Sequence, residues 1–356
     1  MKIAYLLPAP GIPLNGPSGA SAHVRDLCSA LRKEHEVKIF AARRADHRGT
    51  FGEKIAAEIC GVPCWPSWLP GFRDLIEIRA ARRIEKSVLQ FIDSGWFPNL
   101  IIERHSLFSD AGWRISERFG IPWLLEVNAP LFLERQHFET LIRPSWAAKW
   151  QQEVLLAAPF VMAVSSWLTS WLHELGCTNV KHIPNGVTKL VGDRTRGRHL
   201  LGVDNQQRLI GFVGSMKPWH GVSCLLEVAK QTNCKLALIG EGIDIPNAIC
   251  KSFYSPQDLA DVVAAFDVGL APYPASAPAW FCPLKILLYR AQGIPIVATN
   301  VGDCEPLVAG SGMVVPPGDV NALIKGVHQV WGKTFSRDVC DWNQVGQKMI
   351  EFVKNR

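Results

Sequence analysis

The sequence predicts an α/β protein made of two doubly wound parallel sheets, one after the other along the chain. Residues 2–41 read as strand, glycine-rich loop, helix and strand. The stretch 209–226, LIGFVGSMKPWHGVSCLL, repeats that order: an apolar run, a break at Gly214, a polar loop, then Val222, Leu225, Leu226 and Ala229 at helical spacing. The chain has 356 residues, 48% of them hydrophobic, enough for two domains with real cores.

Residues 2–7 form the first strand, and 8–20 (PAPGIPLNGPSGA) must be a loop. A helix over 21–33 puts Val24, Leu27, Cys28 and Leu31 on one face, and 36–41 is the second strand. The loop is long for a strand-to-helix connection. Gly16, Ser18 and Gly19 would let sugar or phosphate approach the backbone closely; a plain surface loop is the alternative. Strands at 99–103 and 123–127 both finish in polar residues: His105 and Ser106 after the first, Glu126 and Asn128 at the second. In an open parallel sheet that carboxyl edge is the crevice side. An arginine partner for Glu126 and a turn cap by Asn128 are the competing readings. Residues 134–157 read as one long helical region, 160–164 as a strand and 167–175 as a helix capped by Ser165 and Ser166. The polar, basic stretch 188–207 reads as an interdomain linker. The second half continues with strands at 235–239, 268–271 and 295–299, helices at 256–265 and 284–292, a long loop at 272–283, and closing helices at 320–331 and 343–354.

Composition narrows the function classes. A net charge of +6 with no long Lys/Arg run does not point to nucleic acid. Short, interrupted apolar runs leave no transmembrane helix evident, and the first residues read as a strand rather than a signal peptide. Of ten cysteines only Cys60 and Cys64 approach a pair, with no second pair or His motif, so they read as reduced thiols of a cytoplasmic protein rather than zinc ligands. Trp65 and Trp68 lie among prolines, just before a helix over 72–92 that carries Arg73, Arg79, Arg82, Arg83 and Lys86. That combination makes peripheral contact with the inner face of the membrane a candidate. Asp74, Glu77 and Glu85 in the same helix favour a solvated charged face instead.

Taken together, several stretches resemble the retaining glycosyltransferases of family 4, which have the GT-B fold. They are the 16–19 loop, ERHSLF at 103–108, LEVNAPL at 125–131, AVS at 163–165, IPNGV at 183–187, FVGSMKPWHG at 212–221, APYP at 271–274, PLK at 283–285 and VVPPGD at 314–319. The resemblance implies two Rossmann-like domains facing across a cleft. Residues 1–190 would serve the acceptor, 191–340 the nucleoside-diphosphate sugar, and 341–356 would form a helix crossing back to the first domain. It implies transfer to an unidentified hydroxyl acceptor, with the nucleotide sugar as co-substrate and no metal. No paired Asp-x-Asp is present to hold one. Gly214, Ser215, Lys217, His220 and Lys285, with backbone groups of Phe281, Cys282 and Leu284, would hold the donor. His105, Glu126 and Asn128 would act on the acceptor side.

The chain also departs from the pattern. Ser215 and His220 stand where relatives carry Arg and Lys. Trp280 and Leu288 stand where relatives carry two glutamates, the second of which binds the ribose. Leu288 cannot accept a hydrogen bond. A non-catalytic binding protein that kept the fold is therefore the second reading, and a nucleotide-sugar epimerase the third.

Overall fold

The computed structural model describes residues 1–16, 18–43, 55–61, 72–138, 141–214, 217–242, 244–253 and 255–355. Ser215, Trp65 and Trp68 lie outside them. The chain divides into two compact units, Met1–Asn185 with Trp342–Arg356, and Gly186–Asp341.

The first unit holds a seven-stranded sheet of β1 (Lys2–Leu7), β2 (Glu36–Ala41), β3 (Glu58–Ile59), β4 (Leu100–Arg104), β5 (Trp123–Val127), β6 (Phe160–Ala163) and β7 (Val180–His182). Its order is β3-β2-β1-β4-β5-β6-β7 and every pairing is parallel. β4 and β5 are buried along their whole length, as expected of a parallel sheet covered by helices on both faces. Strand order reverses between β1 and β4, so the crevice for a ligand opens at the carboxyl ends of these two strands. The last helix, Trp342–Lys354, belongs to this unit. Gly346 on it sits against Leu31 of helix Gly19–Leu31, and Phe352 meets Phe160 edge-on at 5.5 Å.

The second unit holds β8 (Leu209–Val213), β9 (Lys235–Ile239), β10 (Ile249–Lys251), β11 (Val268–Ala271), β12 (Ile296–Thr299) and β13 (Gly312–Val315), ordered β10-β9-β8-β11-β12-β13 and again all parallel. Its strand order reverses between β8 and β11.

Two stretches differ from the sequence reading. The expected linker contains a helix, Arg194–Leu201, packed on helix Pro256–Ala264. Its arginines have partners that lie far away in sequence: Arg194 and Arg198 pair with Asp267, and Arg196 pairs with Asp258 and Asp261. A charged run that looks solvated thus becomes part of the second unit. The long helical region at 134–157 is two helices, Leu131–Phe138 and Pro144–Ala157, because Pro144 starts a new helix and cannot continue an old one.

Tyr289 ties the switch point of the second unit together. Its hydroxyl accepts from Val213 N–H at 3.0 Å and donates to Leu270 carbonyl at 3.2 Å, linking the ends of β8 and β11. A Cβ on Gly269 would lie 2.7 Å from that ring. The two hydrogen bonds prevent the ring from backing away. Gly269→Ala is expected to cost about 1–3 kcal/mol through overpacking, read as a lower melting temperature. An unchanged melting temperature would show that the ring can move.

Candidate functional site

The functional edge of the first unit is built around Glu126, which has 0% solvent exposure. Its carboxylate accepts from Tyr5 hydroxyl at 2.8 Å, Asn128 amide at 2.8 Å and Arg104 guanidinium at 3.2 Å, and His23 Nε2 stands 2.6 Å away. Burial alone would raise its pKa. The His23 charge and hydrogen bond, the Arg104 charge and Asn128 more than offset this and hold the carboxyl below the ordinary range. Glu126 and Asn128 are therefore together, and one competing reading holds at the level of contacts: Glu126 does pair with an arginine, while the Asn128 side chain donates to Glu126. A carboxylate so held is a weak base. Its geometry suits it to orienting Arg104, Asn128 and His23.

His105 directly follows β4, and its backbone N–H donates to Glu126 carbonyl at 2.9 Å. Its ring is buried, and burial pulls its pKa down to about 4 against a smaller lift from Gln151, 3.5 Å from Nε2. The ring is neutral at pH 7, and Nδ1 has no partner among the described residues. Gln151 also accepts from Phe132 N–H at 3.0 Å, so it braces His105 against the start of helix Leu131–Phe138.

Several contacts tie the glycine loop to the helix after it. Ser18 caps helix Gly19–Leu31 by accepting from Ser21 N–H, worth about 1 kcal/mol. Arg25 donates to the carbonyls of Leu14 and Gly16 at 3.0 and 2.8 Å. Gly16 has no room for a side chain, since a Cβ would lie 2.8 Å from Pro13 and 2.9 Å from Ser21 Oγ. Gly19 is the first residue of the helix.

In the second unit, Lys285 lies on the first turn of helix Leu284–Gln292 and is buried. Its Nζ sits 4.0 Å from the centre of the Phe212 ring and 4.8 Å from that of Tyr273. It has no hydrogen-bond or carboxylate partner among the described residues. Burial pushes its pKa down to about 7, with only a small lift from Cys304. The loop after β8 comes to the same place. Gly214, with φ +144°, approaches Lys285 so closely that a Cβ would lie 3.4 Å from Nζ. Gly221, with φ +66°, packs against the carbonyl of Pro272. Both conformations favour glycine. His220 lies 6.0 Å from Phe212 and 6.1 Å from Tyr273, ring centre to ring centre, and Phe281 packs on Tyr273 at 4.7 Å. Lys217 is exposed, its Nζ 5.6 Å from the Trp219 ring. Cys282 is buried. No side chain caps helix Leu284–Gln292.

The structure thus gathers Gly214, His220, Phe281 and Lys285 around Tyr273 and Phe212. Leu284 and Leu288 go elsewhere: they pack on Val187, Leu287, Ala291 and Val339. Sequence reasoning missed Tyr5, His23, Arg25 and Gln151 as parts of the site. Arg104 was visible in the ERHSLF stretch but was not picked out. The others sit inside helices or strands with no local polar signal.

The Glu126 network gives a test. Its folded pKa lies below the unfolded one, so its stability is present above the ordinary carboxylate range and lost as pH falls through and below it. Glu126→Gln is expected to cost on the order of 3–5 kcal/mol at pH 7, because it strands buried cationic partners, and to flatten the acid limb of the stability curve. Urea unfolding across pH checks both; an unaltered acid limb would mean that this charge does not hold the network.

Residues 17–189 match the family model described as Glycosyltransferase Family 4, and residues 207–333 match the one described as Glycosyl transferases group 1. Over 182 residues the chain is 25% identical to a GDP-mannose-dependent alpha-mannosyltransferase of Corynebacterium glutamicum, covering 48% of this chain and 43% of that protein. Over 266 residues it is 23% identical to a D-inositol 3-phosphate glycosyltransferase of Rhodococcus opacus, covering 64% and 56%. The chain spans about half the length of these curated relatives. A sucrose-phosphate synthase from Thermosynechococcus elongatus superposes over 100% of this chain and 98% of its own, with a TM-score of 0.74 at 17% identity. Anabaena HepE in complex with UDP-glucose does so over 100% of both chains, with 0.67 at 16%. These structures share the GT-B fold with it. With one model covering each half in order, the chain belongs to the family 4, group 1 glycosyltransferases.

Proposed function

We propose that this protein transfers a sugar from a nucleoside-diphosphate sugar to an acceptor hydroxyl, with retention of anomeric configuration. The observation that carries this reading is Lys285: a buried ammonium with no anionic partner among the described residues, beside a glycine loop and an uncapped helix start. An unpaired buried charge is costly to the fold and is expected where a ligand supplies the counter-charge. A diphosphate fits. Lys285 would meet its charge, with Lys217, His220 and the N–H groups of Phe281, Cys282 and Leu284 around it, and stabilise the leaving group as the glycosidic bond breaks. This set of cations needs no metal to neutralise the diphosphate. In the first unit, His105 would take a hydrogen bond from a hydroxyl at its free Nδ1, while Glu126 fixes the groups around it without acting as base. The names of similar proteins include both GDP-mannose and UDP-glucose, so the base is left to experiment.

Leu288 favours a second reading. Its place in an apolar cluster leaves no acceptor there for a ribose hydroxyl, which suits a binding protein with weak or no turnover. A thermal-shift screen of UDP, GDP and their sugars, followed by product analysis, separates the two. A nucleotide shift with sugar transfer supports the enzyme, and NMR of the product anomer tests retention. A shift without transfer or donor hydrolysis supports the binding protein. No shift with any nucleotide defeats both.

Lys285 also sets a pH dependence. In the free protein it titrates at about 7, and the diphosphate needs it protonated. Binding should therefore take up a proton, and affinity should fall towards tenfold per pH unit above about 7. Lys285→Met should weaken binding and remove that slope in calorimetry. His105→Ala should lower transfer while nucleotide binding stays nearly unchanged; full transfer activity in that variant would remove His105 from the site.

A further inference from the structure

The His105 ring has two nitrogens, and a buried amide tells them apart. Gln151, on helix Pro144–Ala157, is 4% exposed. The oxygen end of such an amide accepts and the nitrogen end donates, and partners decide which end lies where. Here Phe132 N–H meets one end at 3.0 Å. A backbone N–H can only donate, so that end is the oxygen. The same oxygen stands 3.5 Å from His105 Nε2. With a bare Nε2, two lone pairs would face each other. With a hydrogen on Nε2, the contact is a long hydrogen bond. In a neutral ring the other nitrogen, Nδ1, then carries only a lone pair. It is buried and has no partner among the described residues.

The direction of this bond is set from the backbone. Phe132 lies in the first turn of helix Leu131–Phe138, where N–H groups have no partner within the helix. Turning the Gln151 amide over would strand that N–H in a buried place. The helix itself is held by Arg135, which pairs with Asp74 at 2.7 Å and Glu77 at 2.9 Å. The charges nearest His105 in the chain answer each other, Arg104 meeting Glu126 at 3.2 Å. Burial and Gln151 govern the titration of the ring.

We infer that Gln151 is a positioning residue: it holds His105 in the Nε2–H tautomer, so that Nδ1 can only accept. The group that meets Nδ1 must then bring a hydrogen, as a hydroxyl of the transferring sugar or of the acceptor does. An ionised phosphate or carboxylate, which only accepts, is refused at this atom. The use made of Nδ1 rests on the transfer reading. The tautomer is a property of the free protein and does not.

The test begins with nitrogen-15 NMR of the free, histidine-labelled protein at pH 7, the His105 signals being those that vanish in His105→Ala. A protonated Nε2 and a bare Nδ1 are expected. Gln151→Leu removes the acceptor, and the tautomer ratio should fall roughly 5-fold with the lost hydrogen bond. Gln151→Glu keeps the shape and still accepts from Phe132, so it carries the test if the leucine variant fails to fold. Its carboxylate favours the doubly protonated ring, in which Nδ1 has a hydrogen and no longer accepts. The acid limb of kcat set by this ring lies near pH 4 in the wild type. In Gln151→Glu it should move up, with kcat lowered at pH 7 and recovering as pH rises, while nucleotide Kd holds. UDP-glucose and GDP-mannose are the probes. A loss already present in donor hydrolysis assigns the hydroxyl to the transferring sugar; a loss confined to transfer onto inositol or free mannose assigns it to the acceptor. If neither donor is turned over, the NMR arm still decides the tautomer. A hydrogen on Nδ1 in the wild-type ring, a tautomer ratio untouched in Gln151→Leu, or a Gln151→Glu pH profile matching the wild type overturns the inference.

Discussion

A carboxylate cut off from water holds the functional edge of the first unit together. Burying Glu126 alone would cost several kcal/mol. It stays ionised only because Tyr5 on β1, Arg104 on β4, His23 on the first helix and Asn128 beyond β5 converge on it. Arg104 and Glu126 are also register partners across β4 and β5, so strand pairing and charge pairing require the same alignment. Trp342 meets the His23 ring edge-on at 4.6 Å, which brings the last helix into the same assembly. One charge thus fixes three strands, the helix behind the glycine loop and the start of the final helix. The carboxylate is tied up within the fold, and His105 beside it keeps the free atom.

The second unit is built the opposite way. Its buried charge, Lys285, has ring faces for company and no anion among the described residues. Cation–π contacts offset only part of the desolvation, and burial pulls the Lys285 pKa down to about 7. Below the ordinary lysine range the unfolded chain holds this proton more firmly than the folded one, so the site weakens the fold at neutral pH and does so less as pH rises. A ligand that restores the charge balance stabilises the fold by an amount set by its concentration relative to its Kd. Two glycines in conformations that other residues resist bring backbone to the same point. Local cost and local ligand chemistry coincide there, as expected of a preorganised anion site.

Much of this was legible in sequence because strand-loop-helix units announce themselves through apolar periodicity and glycine breaks. Both sheets, the loop after β8 and the polar ends of β4 and β5 could be read from local pattern. What failed had a non-local cause. Arg194, Arg196 and Arg198 look like a solvated linker until aspartates 62 to 73 positions away receive them. The short strands β3 and β10 carry too few residues to show a period. His23 and Gln151 sit inside amphipathic helices, where a polar residue on the buried side gives no signal before its partner is known. The helix over 72–93 is the reverse case: its composition reads as mixed charge, and only the side on which each residue lies reveals a basic face.

Leu288 bears on how tightly a donor could be held. At the position where the family resemblance implies a ribose-binding glutamate, this chain has a side chain that shares an apolar cluster with Leu284, Leu287 and Val339. A hydrogen bond to a charged group is worth about 1.5–3 kcal/mol, and full burial of a leucine about the same; Leu288 is only partly buried. The replacement therefore strengthens the packing of helix Leu284–Gln292 by less than the donor interaction it forgoes. What grip remains at this helix falls on its first turn, through Lys285 and the backbone beside it. Recognition built that way reads the diphosphate, which every nucleotide sugar shares, more than the ribose. A donor held that way would be told from others by residues that contact its base and its sugar.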